Sequence, residues 1–201
     1  VIPFEEFVKA TKTIPRAVTE RHAWILYGLV KWLRPQTVIE IGSWFGYTAA
    51  HIARALQENG KGRLWCVDDF SLMGVTLHGH NENLRLCGVK DSVSVSPSKS
   101  SDWFWPDADM VFIDGDHSYE GCLHDFEMAA GSGATCIVLH DTSAWWGPSQ
   151  VLMEKREGWS VLEVDFDEGL AIFLKPTIKP ELQYHERDFP MGRLNEPVGA
   201  G

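Results

Sequence analysis

The chain has 201 residues, of which 44% are hydrophobic and 23% charged. That globular balance excludes wholesale disorder and suits a single domain with at most an appendage. The formal net charge is −10, and an acidic surface repels phosphate backbones, so no nucleic-acid partner is expected. No apolar run approaches the roughly 18 residues of a membrane span, and the opening VIPFEEFVKATK lacks the basic-then-apolar pattern of a secretory leader, so the expectation is a cytoplasmic protein with no membrane contact.

Taken in chain order, the body alternates helix-like and strand-like runs. Residues 19–33, TERHAWILYGLVKWL, set Trp24, Ile25, Leu29, Val30 and Leu33 on one helical face, with Thr19 as cap and Pro35 beyond the end. TVIEI (37–41) is a short apolar strand, and GYTAAHIARALQENG (46–60) a helix closed by Gly60. RLWCVD (63–68) is a strand, 78–88 a helix, SVSVS (92–96) an alternating strand and DMVFID (109–114) a buried one. YEGCLHDFEMAA (119–130) is a helix and TCIVLHD (135–141) another buried strand. SVLEVDF (160–166) and LAIFLK (170–175), separated by DEG, read as a closing β-hairpin. Residues 1–175 form the domain, and 176–201, with four of the ten prolines and no sustained period, form an extended or irregular tail. Cys66, Cys87, Cys122 and Cys136 include no C-x-x-C pair and read as reduced core thiols.

Near-continuous apolar strands alternating with helices give an α/β fold, a parallel sheet doubly wound by helices on both faces. Ligands of such folds bind beyond the carboxyl ends of the strands. The residues that matter are therefore Glu40–Gly42, Asp68–Asp69, Ser96–Ser98, Asp114–His117 and His140–Thr142. In Glu40-Ile41-Gly42-Ser43-Trp44-Phe45-Gly46, glycines bracket a strand-to-helix turn where backbone can approach a ligand and free N–H groups face an anionic group. Trp44 stands where a dinucleotide fingerprint would need its second glycine, which argues against a nicotinamide oxidoreductase. Asp68, ending the next strand, is placed to accept bonds from both hydroxyls of a ribose. Asp114 and Asp141 end neighbouring strands at nearly the same height, and two such carboxylates repel unless a cation or a proton intervenes.

VIEIGSWFGYTAAHIARAL, WCVDDF, DMVFIDGDHSYEGCLHDFEMAA and CIVLHDT together resemble the class I S-adenosylmethionine-dependent methyltransferases. More narrowly, they resemble the methyltransferase 24 family of small bacterial O-methyltransferases, over roughly residues 19–175. The resemblance implies a Rossmann-like seven-stranded sheet of order 3-2-1-4-5-7-6 whose last hairpin makes one strand antiparallel. It also implies the place of S-adenosyl-L-methionine: Gly42, Ser43 and Gly46 under the methionine part, Glu40 supporting its ammonium group, Asp68 holding the ribose, the Ser98–Ser100 loop touching the adenine, and Gly115 and Asp116 bordering the sulfonium with Asp114.

Two routes to a hydroxyl nucleophile follow. Asp114 and Asp141 could ligate Mg²⁺, which would bind the acceptor oxygen and lower its pKa. Metal-dependent relatives place a further Asp or Asn after the second acid, where this chain has Thr142, a poorer ligand. Alternatively His117 takes the proton directly, oriented by Asp116 or Asp141, while His140 reads as a buried imidazole between strands. The tryptophans of Ser143–Pro148 and Trp103-Phe104-Trp105 are either the floor of an acceptor pocket, for a sugar, phenol or other hydroxyl compound, or anchors for loops or a homodimer contact. Residues 71–82 read as a lid or a surface connection. The competing reading is a cofactor-binding but catalytically degenerate module that acts through a protein partner.

Overall fold

The computed structural model describes residues 1–72 and 74–176; the tail expected over 176–201 lies outside them from residue 177 on. Seven strands form one sheet in the order β3-β2-β1-β4-β5-β7-β6. They are β1 (Thr37–Ile41), β2 (Arg63–Val67), β3 (Val93–Ser96), β4 (Met110–Ile113), β5 (Cys136–His140), β6 (Ser160–Val164) and β7 (Leu170–Leu174). β1 pairs in parallel with β2 and β4, β4 with β5, and β2 with β3, whereas β7 is antiparallel to both β5 and β6. The central strands are apolar because both of their faces are covered: every residue of β4 and β5 is buried.

One face carries α1 (Phe4–Thr11), α2 (Glu20–Leu33), α3 (Tyr47–Asn59) and α4 (Leu77–Leu86), whose core includes Phe7, Leu26, Ile52, Leu56 and Phe112. The other carries α5 (Tyr119–Gly131) and α6 (Trp146–Glu154), packed on Ile39, Val111, Ile137 and Phe173. Helix starts follow the capping residues. The Thr19, Thr76 and Ser118 side chains accept from the backbone N–H groups of His22, Gly79 and Gly121, and α3 runs between the left-handed glycines Gly46 and Gly60. Among the described residues no helix is long and apolar enough to cross a membrane, and all four cysteines are free and buried.

Two helices differ from the sequence expectation. α1 is short, but Phe7 is fully buried and the Arg54 guanidinium donates to the Ile2 carbonyl at 2.7 Å, so tertiary packing holds a segment with little helical length of its own. The second is α6, which starts at Trp146 in a stretch to which the sequence assigned no element. Proline is accommodated in a first helical turn. Gly147 makes the approach feasible, because a Cβ there would lie 2.3 Å from the His117 carbonyl oxygen.

Gly42 is the tightest point that positions the ligand edge. It has φ +79, and a Cβ on it would fall 2.0 Å from the Asp114 carbonyl oxygen. Gly133 has a similar φ of +86 with open space around it. Gly133→Ala should therefore cost only the backbone strain, about 1 kcal/mol, whereas Gly42→Ala should cost at least about 3 kcal/mol or prevent folding; urea denaturation of the two variants beside the parent compares them directly.

Candidate functional site

The glycine-bracketed turn is held from beneath by two carboxylates. Asp68 ends β2, and its Oδ2 accepts from the backbone N–H groups of Ser43 (2.9 Å) and Trp44 (2.7 Å), while Oδ1 accepts from Phe70 (2.7 Å). The residue expected at the ribose thus also ties the turn together, with lone pairs left over. Glu40 is fully buried. Its Oε2 accepts from the Ser43 hydroxyl (2.6 Å) and the Cys66 thiol (3.2 Å), and its Oε1 from Thr48 (2.5 Å). Burial pushes the Glu40 carboxyl up to about 7 against those hydrogen bonds. It lies under the turn, so any effect of Glu40 on a bound ammonium group passes through Ser43.

His80, from α4, completes this layer. Its Nε2 meets Ser43 Oγ at 2.8 Å, and its ring lies 3.1 Å from where a Gly46 Cβ would be. Burial pushes its imidazole down to about 4, so it stays neutral. The sequence reading placed His80 both at the start of a helix over 78–88 and in a lid or connection over 71–82; α4 holds it, and its ring is buried in the core. Two bulky residues at this edge, Trp44 (φ 44) and Phe70 (φ 54), and the acid Asp141 (φ 60) have left-handed backbones. Such strain persists only where the surroundings fix it, and it gathers at functional sites.

The second group lies at the ends of β4 and β5. His117 Nε2 is 2.9 Å from Asp141 Oδ2 and 3.6 Å from Asp114 Oδ1. His140 Nδ1 is 3.2 Å from Asp114 Oδ1 and 3.3 Å from Asp141 Oδ1. These contacts are ion pairs without straight hydrogen-bond alignment. The cations expected between the two acids are therefore supplied by imidazoles. Asp114 and then Asp141 push His117 up to about 9. For His140, burial lowers the pKa, but the same two carboxylates outweigh it and bring it to about 10. Burial would raise Asp141, and the two imidazoles overcome this and hold it below the usual carboxylate range. Asp114, His140 and Asp141 also bring potential metal-ligand atoms within 4.8 Å of one another. The neighbour the sequence reading set beside the acids was Thr142, which is buried next in the chain; His140 was treated there as a plain core imidazole. Its place at the end of β5, one residue before an acid, was the signal.

A small cleft at the turn is lined by Gly42, Ser43, Trp44, Phe45, Thr48 and Asp114. Its far wall is the connection between α1 and α2, through Pro15, Ala17 and Val18, which no motif announced. Gly115 sits against Ile41, where a Cβ would be 2.9 Å from the Ile41 side chain, and the exposed Asp116 accepts from the Ser118 N–H at 2.8 Å. Ser98 and Ser100 lie beyond β3: Ser98 meets Ser96, and the Ser100 carbonyl accepts from Trp105. The structure thus brings Gly42, Ser43 and Asp114 into one cleft and His117, Asp114 and Asp141 into one cluster, with Ser98 and Ser100 apart from both. Trp103 and Trp105 pack with Trp65 as loop anchors. Trp145, 55% exposed, stacks on His117 at 5.1 Å and 29°.

The sheet order, the antiparallel last hairpin and a cleft over the first strand-to-helix turn define a Rossmann-like methyltransferase fold. The family model described as a methyltransferase domain matches residues 39–142, just over half of the chain, and the chain belongs to that methyltransferase 24 family. Solved structures agree on the fold. The O-methyltransferase TomG from Streptomyces achromogenes, in complex with SAM, is 19% identical, with 87% of this chain and 91% of that chain covered and a TM-score of 0.67. An O-methyltransferase from Bacillus cereus in complex with SAH is 18% identical, covering 87% and 93%, with a TM-score of 0.63. A methyltransferase from Geobacter sulfurreducens is 18% identical, covering 87% and 91%, with a TM-score of 0.65. No curated protein gives a significant match.

The cluster also sets a pH dependence of stability. Both histidines titrate higher in the folded chain than the ordinary value of 6.5, so their stabilisation is complete below about pH 6.5 and is lost as pH rises through 9 and 10. Asp141 titrates below 3.8, so its share is present above about pH 4 and is lost on acidification. Melting temperature should accordingly fall from pH 6.5 to 10. Asp141→Asn should shrink that alkaline decline, and an unchanged slope would contradict the ion pairing.

Proposed function

We propose that the chain transfers the methyl group of S-adenosylmethionine to a hydroxyl oxygen of a small acceptor, a sugar or a phenol, with His117 as the general base. The observation that carries this reading is His117 itself. It is partly exposed, backed by Asp141 at 2.9 Å, stacked under Trp145, and next to Asp114, which lines the cleft. Bound S-adenosylmethionine supplies a methyl group on a positively charged sulfur, so displacement needs little help at the leaving group. The residues of the chain orient the two reactants and take up one proton.

The two carboxylates raise His117 to about 9, so the base is its deprotonated fraction: with Nε2 turned to Asp141, Nδ1 receives the acceptor proton, Asp141 stabilises the imidazolium that results, and transfer rises with pH towards 9. Trp145 gives a flat face to a ring-shaped acceptor beside it. Asp68, Ser43 and the N–H groups at the start of α3 hold the cofactor, with Gly115 and Asp116 at the sulfonium end and Ser98 and Ser100 towards the adenine. In the metal route Asp114 and Asp141 would hold Mg²⁺ beside Thr142, and the ion would acidify the acceptor. The two imidazoles at these acids favour the base route, because one of them would have to withdraw.

S-adenosylhomocysteine should raise the melting temperature of the parent protein and equally that of His117→Ala. Transfer of labelled methyl groups to a panel of sugars and phenols should fall about 10²–10⁴-fold in that variant and persist in chelator. Activity abolished by chelator and indifferent to His117→Ala would replace the base with the metal. Cofactor binding with no turnover across the panel would favour the non-catalytic module.

A further inference from the structure

Behind the acceptor cluster lies a second group of ligating side chains that methyl transfer does not use. His22, in the first turn of α2, is fully buried, and its Nδ1 faces His140 Nε2 at 3.1 Å. Glu168, in the turn between β6 and β7, joins them. Each of the three residues can present one ligand atom with all three atoms within 4.8 Å of one another. Glu168 Oε2 is buried with no hydrogen-bond donor, although its carboxylate has a ring nitrogen of each histidine within 4.8 Å. That is a costly arrangement for a protein to keep.

The surroundings are built rather than incidental. The turn carrying Glu168 is pinned to the end of β5: the Ser143 N–H donates to the Glu168 carbonyl at 3.0 Å, and a Cβ on Gly169 would fall 2.4 Å from Ser143 Oγ. Phe166 stacks on His22 at 5.1 Å, and Arg21 lies over Phe166 at 5.5 Å, which closes the group from solvent. His140 turns Nδ1 towards the Asp114 and Asp141 carboxylates. A carboxylate behind one ring nitrogen is the usual support of a metal-binding imidazole, and an ion bound at His140 Nε2 takes the place of the proton there, which is released to solvent.

We propose that His22, His140 and Glu168 form a binding site for a divalent transition-metal ion of the zinc or cobalt kind, separate from any Mg²⁺ at Asp114 and Asp141. Imidazole nitrogens suit these ions, and Mg²⁺ disfavours them. Two imidazoles on one ion, each about 2.1 Å from it, stand about 3.0–3.4 Å apart, so a tilt of the rings converts the present His22–His140 contact of 3.1 Å into joint ligation. The ion would tie the start of α2 and the β6–β7 turn to the end of β5 and hold His140 against the two catalytic acids. The site rests on these three residues and stands whether or not the acceptor reading is right.

The test uses the full chain stripped with chelator and then titrated with Co²⁺, followed by visible absorption, and with Zn²⁺, followed by calorimetry. One equivalent should bind and give the absorption bands of imidazole-ligated Co²⁺, and a large excess of Mg²⁺ should not displace it. His22→Gln and Glu168→Gln should each weaken binding at least tenfold. Glu168→Gln changes a turn residue outside the core and covers the case in which the buried His22 variant misfolds; an unchanged response to S-adenosylhomocysteine identifies variants that retain the fold. Absence of Co²⁺ and Zn²⁺ binding to the parent would reduce the group to a hydrogen-bonded histidine pair. Binding indifferent to both substitutions, or competed by Mg²⁺, would move the ion to Asp114 and Asp141. Either result overturns the proposal.

Discussion

The close contact between Gly42 and the Asp114 carbonyl governs this molecule. Parallel strands β1 and β4 run side by side, and the turn leaving β1 must cross the end of β4 with no room for a side chain. The Asp114 N–H donates to the Ile41 carbonyl at 2.8 Å, which continues the ladder one step past the strands. The glycine turn, the start of α3 and the first acid of the acceptor cluster are thereby fixed relative to one another by backbone. Under the proposed function, a methyl donor over the turn and a proton acceptor near Asp114 would meet in a geometry fixed by backbone, and such positioning is a main contribution of an enzyme to an in-line displacement.

The acids beyond that contact set the electrostatics. Asp114 and Asp141 are half-buried or buried and lie close enough to share partners, so each depends on positive charge nearby. His117 supplies it from the solvent side and His140 from the core. The division has a chemical consequence. Under the proposed function the partly exposed imidazole exchanges protons with the acceptor, whereas the enclosed one has no access to it. His140 in turn places positive charge against His22, whose imidazole is lowered first by burial and then by that charge. The neutral His22 therefore presents a lone pair.

The sequence carried the scaffold well because its signals are periodic and local. Apolar strands of four or five residues, threonine and serine caps, and glycines at both ends of α3 announce the sheet and most of its helices. α1 and α6 escaped because each depends on remote partners: Phe7 on the core, and Gly147 on the His117–Tyr119 backbone. The same distinction divides the site. Gly42, Asp68, Asp114 and Asp141 sit at strand ends, where topology alone assigns significance. His80 and His22 are helix residues 37 and 118 positions in sequence from the atoms they touch, and no spacing rule joins them. Asp68 shows a subtler limit. Its location was legible, but its grip on the Ser43 and Trp44 amides was not, because a carboxylate at a strand end serves backbone or ligand equally well.

Backbone strain connects these two levels. Trp44 and Asp141 occupy left-handed conformations that ordinary residues avoid, each at a turn leaving a central strand. For Trp44, two amide hydrogen bonds to one Asp68 oxygen fix the turn, and the ring is set over the turn beside Phe45. For Asp141, the backbone N–H groups of Ala144 and Trp145 donate to its carbonyl, and the carboxylate is left between two imidazoles. Glycine at either position would relieve the strain and lose the side chain that the cleft or the cluster needs. The strain is tolerated where a side chain and an unusual backbone are held together by fixed partners, as the Asp68 oxygen does at Trp44 and the two imidazoles do at Asp141.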